Sequence, residues 1–230
     1  MPNELIWVLF ALVNFVLFLV MYKVFGKAGI FYWIVMSTIL ANIQVIKIIP
    51  LFGLEASLGN IMYGTIFLGT DVLNEIFSKK EAKKAVYLGF VVMLSTLAIM
   101  QMALWFTPHV SDFASPALET IFGFMPRVVL GSLSAFIVSQ LLDVNIFQWI
   151  KSKLPQDKYL WIRNNGSTMV SQLIDTLIFV PIAFWGVVPT YVLIGILIST
   201  YLIKLIVAIL DTPFIYLIKK IKPFDLDILK

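Results

Sequence analysis

Tyr63–Lys84, YGTIFLGTDVLNEIFSKKEAKK, is an apolar stretch whose last turns carry Asp71, Asn74 and Glu75 and which stops at Lys79, Lys80, Lys83 and Lys84. On a regular helix, positions 71, 74 and 75 fall within one face about 100° wide. With Lys79 at the interface and roughly 1.5 Å per residue, Glu75 lies about 6 Å and Asp71 about 12 Å inside the span. A carboxylate near mid-span costs about 2.5–3.5 kcal/mol to insert, against about −0.3 to −0.6 kcal/mol for each Leu, Ile, Phe or Val. Two acids therefore cancel much of the drive to insert, and they must face protein or water rather than lipid. The plainer alternative for Glu75 is an i,i+4 pair with Lys79. Asp71 has no basic residue four positions away.

The rest of the chain is of the same kind. Of its 230 residues 60% are hydrophobic and 13% charged, and the mean hydropathy is +0.97. This is an all-α polytopic membrane protein, one compact bundle over 1–230 with no room for a soluble domain between spans. The start MPNELIWVLF has no basic n-region, so the first span is expected to be retained. No cysteine is present, which excludes disulfides, thiolate metal sites and cysteine nucleophiles. A pI of about 9.2 first suggests nucleic acid, but the lysines sit in short loops beside spans. Their expected partner is the anionic inner leaflet of a bilayer, not a polynucleotide.

Apolar stretches long enough to cross a membrane occur at about 5–25, 28–49, 57–77, 84–106, 122–149, 165–186 and 190–210. Residues 213–222 read as an amphipathic interfacial helix. Basic residues fall at 23–27, 79–84, 151–163 and 219–230, which puts 14 of the 17 on alternate loops. By the positive-inside rule this predicts an external N-terminus and a cytoplasmic C-terminus.

Other spans carry polar groups too. In RNNGSTMVSQLIDTLIFVPIAFWG (163–186), Asn164, Thr168, Ser171, Gln172 and Asp175 share a stripe about 100° wide. Asp175 falls near mid-membrane, about 18 Å from Arg163. Packing by Ser and Thr alone explains such a stripe only in part; an acid at that depth favours a pathway or pocket. Lys204 sits at a similar depth in the seventh span and is expected to pair with Asp175, as a structural pair or a coupling element. Asn42, Gln44 and Lys47 occupy the outer half of the second span, where Lys47 can snorkel outward. Gln140 and Asp143 read as a solvated cap of the fifth span, and Arg127 as interfacial.

Several chemistries are excluded. The single histidine, His109, lies in a loop, so internal histidine metal sites and Ser-His hydrolysis are absent. There is no G-x-x-x-x-G-K-[ST] run to bind ATP. No enzymatic role and no cofactor are expected. What is left is a bundle with buried polar stripes, suited to a solute.

The stretch LANIQVIKIIPLFGLEASLGNIMYGTIFLGTDVLNEIFSKKEAKKAVYLGF resembles the first half of the queuosine precursor transporter family, also called the vitamin uptake transporter family. RNNGSTMVSQLIDTLIFVPIAFWG and LDTPFIYLIKK are similar to its second half, so the likeness runs from about Leu40 to Lys220. It implies a bacterial inner-membrane importer of 7-deazaguanine-type bases acting as a secondary transporter. It also implies a six-span bundle like the vitamin-binding subunits of energy-coupling-factor transporters, where the count above is seven. By motif position the implied substrate-binding residues are Asn42, Gln44, Lys47, Asp71, Asn74, Glu75, Gln172 and Asp175. A guanine-like ring offers adjacent N–H donors to a carboxylate, a carbonyl to Asn, Gln or Lys, and two faces for aromatic stacking. The alternatives are an energy-coupling-factor binding subunit, disfavoured by the bulky first span WVLFALVNFVLFLVMY, and a structural membrane protein without a solute. A homo-oligomer is compatible with the sequence.

Overall fold

The computed structural model describes residues 1–45, 47–123, 125–186 and 189–224. The first element, α1 (Asn3–Gln44), is 42 residues long and broken at Gly26, whose φ of 57° and ψ of −136° leave the helical region. At 1.5 Å per residue an unbroken helix of that length would measure about 63 Å, twice a bilayer core. Instead it folds back on itself. The rings of Phe18 and Trp33 lie 6.0 Å apart, whereas fifteen residues along a straight helix would separate them by about 22 Å. Two antiparallel arms, 3–25 and 27–44, result. Gly26 supplies the positive φ, and at Gly29 a Cβ would meet the Met21 carbonyl oxygen at 2.1 Å. Gly26→Ala is expected to cost about 1–3 kcal/mol, read as a lower thermal midpoint of the detergent-solubilised protein. An unchanged midpoint would show that the reversal does not depend on this torsion.

A short antiparallel hairpin follows, β1 (Ile48–Leu51) and β2 (Leu54–Ser57). The second arm of α1 thus ends at Gln44, and Lys47 lies beyond it, exposed. Pro50 cannot continue a helix, and Phe52–Gly53 turn the chain with φ of 50° and 74°. α2 (Asn60–Val72) runs into a π-helical turn at Leu73–Phe77, and Ser78 caps α3 (Lys79–Ala103) by accepting from the Glu81 N–H. α4 (Ser115–Leu118) and a second π turn, Glu119–Gly123, precede α5 (Met125–Lys153). A 3₁₀ turn (Asp157–Tyr159) leads into α6 (Leu160–Phe184), and α7 (Thr190–Ile218) completes the bundle. α7 continues through Pro213 to Ile218, so the stretch expected as a separate interfacial helix from 213 begins as the last turns of α7.

Among the described residues, five of these helices are long and apolar enough to cross a membrane. α1 supplies two arms, and α2 with its π turn adds an 18-residue rod. The two ends of the bundle differ sharply in charge. Lys23 donates to the Lys222 carbonyl and sits over the Phe224 ring, and Lys27 pairs with Glu81. Lys151, Arg163 and Lys219 converge on Glu75. All four basic stretches therefore meet at one end. The N-terminus is at the other, where Asn3 donates to the Pro50 carbonyl and Glu4 accepts from the Phe52 N–H.

The apolar interior includes Phe15, Phe18, Ile30, Trp33, Ile34, Ile66, Leu68 and Phe147, with Phe15 stacked on Phe214 of α7 at 4.5 Å. Leu9, Val16, Val91, Ile99, Ile198 and Ile209 are exposed on the outside. In water such surfaces would be a liability; around a bundle of this length they are the lipid-facing belt.

Candidate functional site

Inside the bundle the polar side chains fall into three levels between the hairpin end and the basic end. The first level begins at Asn42, on the second arm of α1. Its amide donates to the Thr38 carbonyl and contacts the Met93 sulfur, and its Oδ1 accepts from the Tyr63 hydroxyl at 3.3 Å. The Tyr63 ring lies under the Lys204 ammonium, 6.0 Å from Nζ to centroid. Lys204 Nζ bonds Asp175 Oδ2, and Asp175 Oδ1 accepts from Ser139 at 3.0 Å. The Lys204 side chain is only 6% exposed and that of Asp175 15%. Five segments thus contribute to one connected polar row. Beside it a cleft is lined by Thr38, Asn42, Met93, Thr96, Phe122 and Val129.

The second level lies closer to the basic end on every helix that builds it. Asp71 is eight residues beyond Tyr63 on α2, about 12 Å, and Asp211 is seven beyond Lys204 on α7, about 10 Å. Asp71 Oδ2 accepts from Thr168 at 3.4 Å, Asp143 Oδ1 from Ser171 at 2.8 Å, and Asp211 Oδ1 from Asn164 at 2.8 Å. Thr168 and Ser171 stand one turn apart on α6, so the Asp71 and Asp143 carboxyl groups that they serve lie side by side. All three acids are buried. Nearby on the same helices, Thr70 donates to Gln140 Oε1 at 3.1 Å.

At the third level the π turn changes the expected geometry. A wider turn advances each side chain by less than a regular helical step, and Asn74 and Glu75 leave the face that Asp71 uses. Asn74 donates to the Val144 carbonyl of α5. Glu75 receives Arg163 at 2.8 Å, Lys219 at 2.9 Å and Lys151 at 3.0 Å. Arg163 is fully buried and also donates to the Leu154 and Gln156 carbonyls. One carboxylate thereby ties α2, α5, α6 and α7 together.

Lys219 extends the network to Asp157 at 2.5 Å. That hydrogen bond holds the Asp157 carboxyl below its ordinary range. Burial works against the Lys219 ammonium, but hydrogen bonds to Asp157 and Glu75 outweigh it and raise its pKa. The signs set a window. A lowered acid stabilises above its unfolded pKa of about 4 and loses this as pH falls; a raised lysine stabilises below about 10.4 and loses this as pH rises. Thermal midpoints of wild type and Asp157→Asn should therefore differ at neutral pH and converge on acidification through and below the Asp157 pKa. A difference that persists there would mean Asp157 acts by some route other than charge.

The residues singled out by sequence are thus distributed, not gathered in one pocket. Asn42 and Asp175 belong to the first level, Asp71 to the second, Glu75 and Asn74 to the third. Gln172 is buried with its Oε1 unpartnered among the described residues, and the same holds for Gln44 Oε1. Lys47 stands outside the helical bundle. Gln140 and Asp143, expected as a solvated cap, are fully buried because α6 covers that face of α5 with Ser167, Thr168 and Ser171. Arg163, expected to mark the interface, is internal for the same reason: Glu75 and two carbonyls replace its water. Tyr63 went unnoticed because an aromatic residue in an apolar run carries no signal of its own. Asp143 had one: it lies eight residues before Lys151, about 12 Å inside the end of its helix.

Residues 57–218 match the family described as "Putative vitamin uptake transporter". The chain is similar to the "Probable queuosine precursor transporter" of Bacillus subtilis (strain 168), 53% identical over 225 residues that cover 98% of each chain. It is also similar to the "Queuosine precursor transporter" of Escherichia coli (strain K12), 28% identical over 166 residues, 71% of this chain and 70% of that one. A third relative, the "Probable queuosine precursor transporter" of Haemophilus influenzae (strain ATCC 51907 / DSM 11121 / KW20 / Rd), is 31% identical over 136 residues, 58% of this chain and 54% of its own. No solved structure matches. A multi-pass helical bundle with a polar interior and this likeness along its whole length is a transporter and not an enzyme, and the chain belongs to the queuosine precursor transporter family, the vitamin uptake transporters.

Proposed function

We propose that this chain imports a queuosine precursor, a 7-deazaguanine-type base, across the bacterial inner membrane as a secondary transporter. Its basic end, with the C-terminus, faces the cytoplasm and the anionic leaflet, and its N-terminus faces outward. The observation that carries the reading is the internal row Asn42–Tyr63–Lys204–Asp175–Ser139, next to a cleft walled by Phe122. A flat heterocycle needs this combination: amide and hydroxyl groups for its edges, an aromatic neighbour, and a carboxylate able to accept paired N–H donors. The relatives' names point to the same substrate class. Glu75, saturated by three cations, is assigned to closing the basic end and not to the base.

The direct test is a thermal-shift screen of purified protein against cyano- and aminomethyl-deazaguanine, guanine and soluble vitamins. A deazaguanine should raise the midpoint, because a ligand that binds only the folded state stabilises it by about 2.7 kcal/mol at a hundred times its Kd. A shift with a vitamin and none with any deazaguanine would overturn the assignment.

A further inference from the structure

The second polar level is built unlike the other two. At the first level Lys204 answers Asp175, and at the third Arg163, Lys151 and Lys219 answer Glu75. Asp71, Asp143 and Asp211 come from α2, α5 and α7, are at most 1% exposed, and have no cation among the described residues. Charged groups on the surrounding elements are spoken for. On α6 these are Asp175 and Arg163, on α7 Lys204, and Lys23, Lys27 and Lys79–Lys84 stand at the basic end. At the cluster itself α6 offers only neutral donors.

Those donors are too few. Thr168, Ser171 and Asn164 each serve one oxygen of one carboxyl. Asp71 Oδ1, Asp143 Oδ2 and Asp211 Oδ2 are left without a partner among the described residues. So is Asn164 Oδ1, on the same fully buried amide that donates to Asp211. Among the described residues at this level, four buried acceptor oxygens are unpartnered against one unpartnered amide donor, Gln140 Nε2. Asp71 and Asp143 are held side by side by donors one turn apart on α6, and ionised carboxylates are acceptors only, so a bond between them requires a hydrogen on one of the two.

We propose that Asp71, Asp143 and Asp211 form the proton-binding site that couples this transporter to the proton gradient. One proton taken from outside is held between Asp71 and Asp143, with Asp211 and Asn164 as the alternative acceptors. It is released at the basic end with the base, so one proton and one base move inward together and each turnover with a neutral base carries one net positive charge inward. The idea rests on the transport reading above, and it supplies the energy source which that reading leaves open.

The test uses proteoliposomes holding the purified protein and labelled cyano-deazaguanine. An acid-outside gradient should drive accumulation that a protonophore abolishes. Asp143→Asn and Asp211→Asn should lower this accumulation by about tenfold or more, while exchange of external label for internal unlabelled base stays within about threefold of wild type. Infrared difference spectra of the purified protein should show a carboxylic-acid C=O band that weakens in Asp143→Asn, and that readout needs no substrate. Accumulation driven by a sodium gradient and indifferent to protonophore would overturn the proposal. So would asparagine variants that accumulate like wild type, or that lose exchange as completely as accumulation. If the wild type neither binds nor exchanges the base, the substrate reading fails, and the infrared band alone decides: its absence overturns the proton site and its presence supports it.

Discussion

Arg163→Ala is expected to destabilise the purified protein by about 3–5 kcal/mol, the usual consequence of removing one partner of a buried ion pair. Arg163 has no exposed surface, and its guanidinium does two jobs at once. One nitrogen neutralises Glu75 while another satisfies the Leu154 and Gln156 carbonyls in the loop between α5 and α6. Truncation leaves the Leu154 carbonyl without its donor, the Gln156 carbonyl with only the Tyr159 N–H, and a carboxylate that is 4% exposed with only two lysines, each about a quarter exposed. Lys219→Ala should cost about 1 kcal/mol or less, because a partly solvated lysine gives up little when its partner keeps others. Arg163→Lys should recover only part of the loss, since an ammonium cannot reproduce the fork that reaches three acceptors. Chemical or thermal unfolding in detergent ranks the three variants. A Lys219 variant that is less stable than Arg163→Ala would contradict the assignment of Arg163 as the centre of the closure.

The second large effect concerns the pair in the first level. Lys204→Met should lower base uptake by about a hundredfold, with protein still present in the membrane. A buried lysine's removal strands Asp175 in low dielectric and strips the Tyr63 ring of its cation. Asp175→Asn should do the same, because it strands the lysine in turn. Exchanging the two residues, Asp175→Lys with Lys204→Asp, keeps the charges paired and should restore folding but not uptake, since the carboxylate then faces α6 from the wrong helix. Quantitative membrane blots separate the two effects. If the exchange restores uptake as well, the pair is structural and the base is recognised elsewhere.

How far the sequence alone reached depends on what burial costs. Asp71, Glu75, Asp175 and Lys204 declared themselves because a charge deep in an apolar run is expensive, and each has a specific environment in the structure. The basic loops likewise had to lie on one side, and they do meet at one end. Geometry that turns on a few torsions was hidden. A π turn at Leu73–Phe77 cannot be read from composition, so Asp71 and Glu75 seemed to share a face when they serve different levels. The hairpin at Ile48–Ser57 replaced what read as the end of the second span, because a β-branched apolar run suits either form until Pro50 and Gly53 are weighed. Asp143 reads as a solvated cap and Arg163 as part of a basic loop, and only the packing of α6 against α5 and the bonds to Glu75 show them to be internal.

The claim on which the rest depends is that the polar interior serves a travelling base and not merely the fold. It is tested most directly by uptake of labelled deazaguanine into cells unable to make their own, carrying wild type, Asn42→Ala, Tyr63→Phe or Asp175→Asn at matched membrane levels. Wild type should accumulate the label. Asp175→Asn should reduce uptake to background and Asn42→Ala and Tyr63→Phe by about tenfold, the effect of one lost hydrogen bond of about 1.4 kcal/mol. Equal accumulation by all four would show that the row has no part in moving the base.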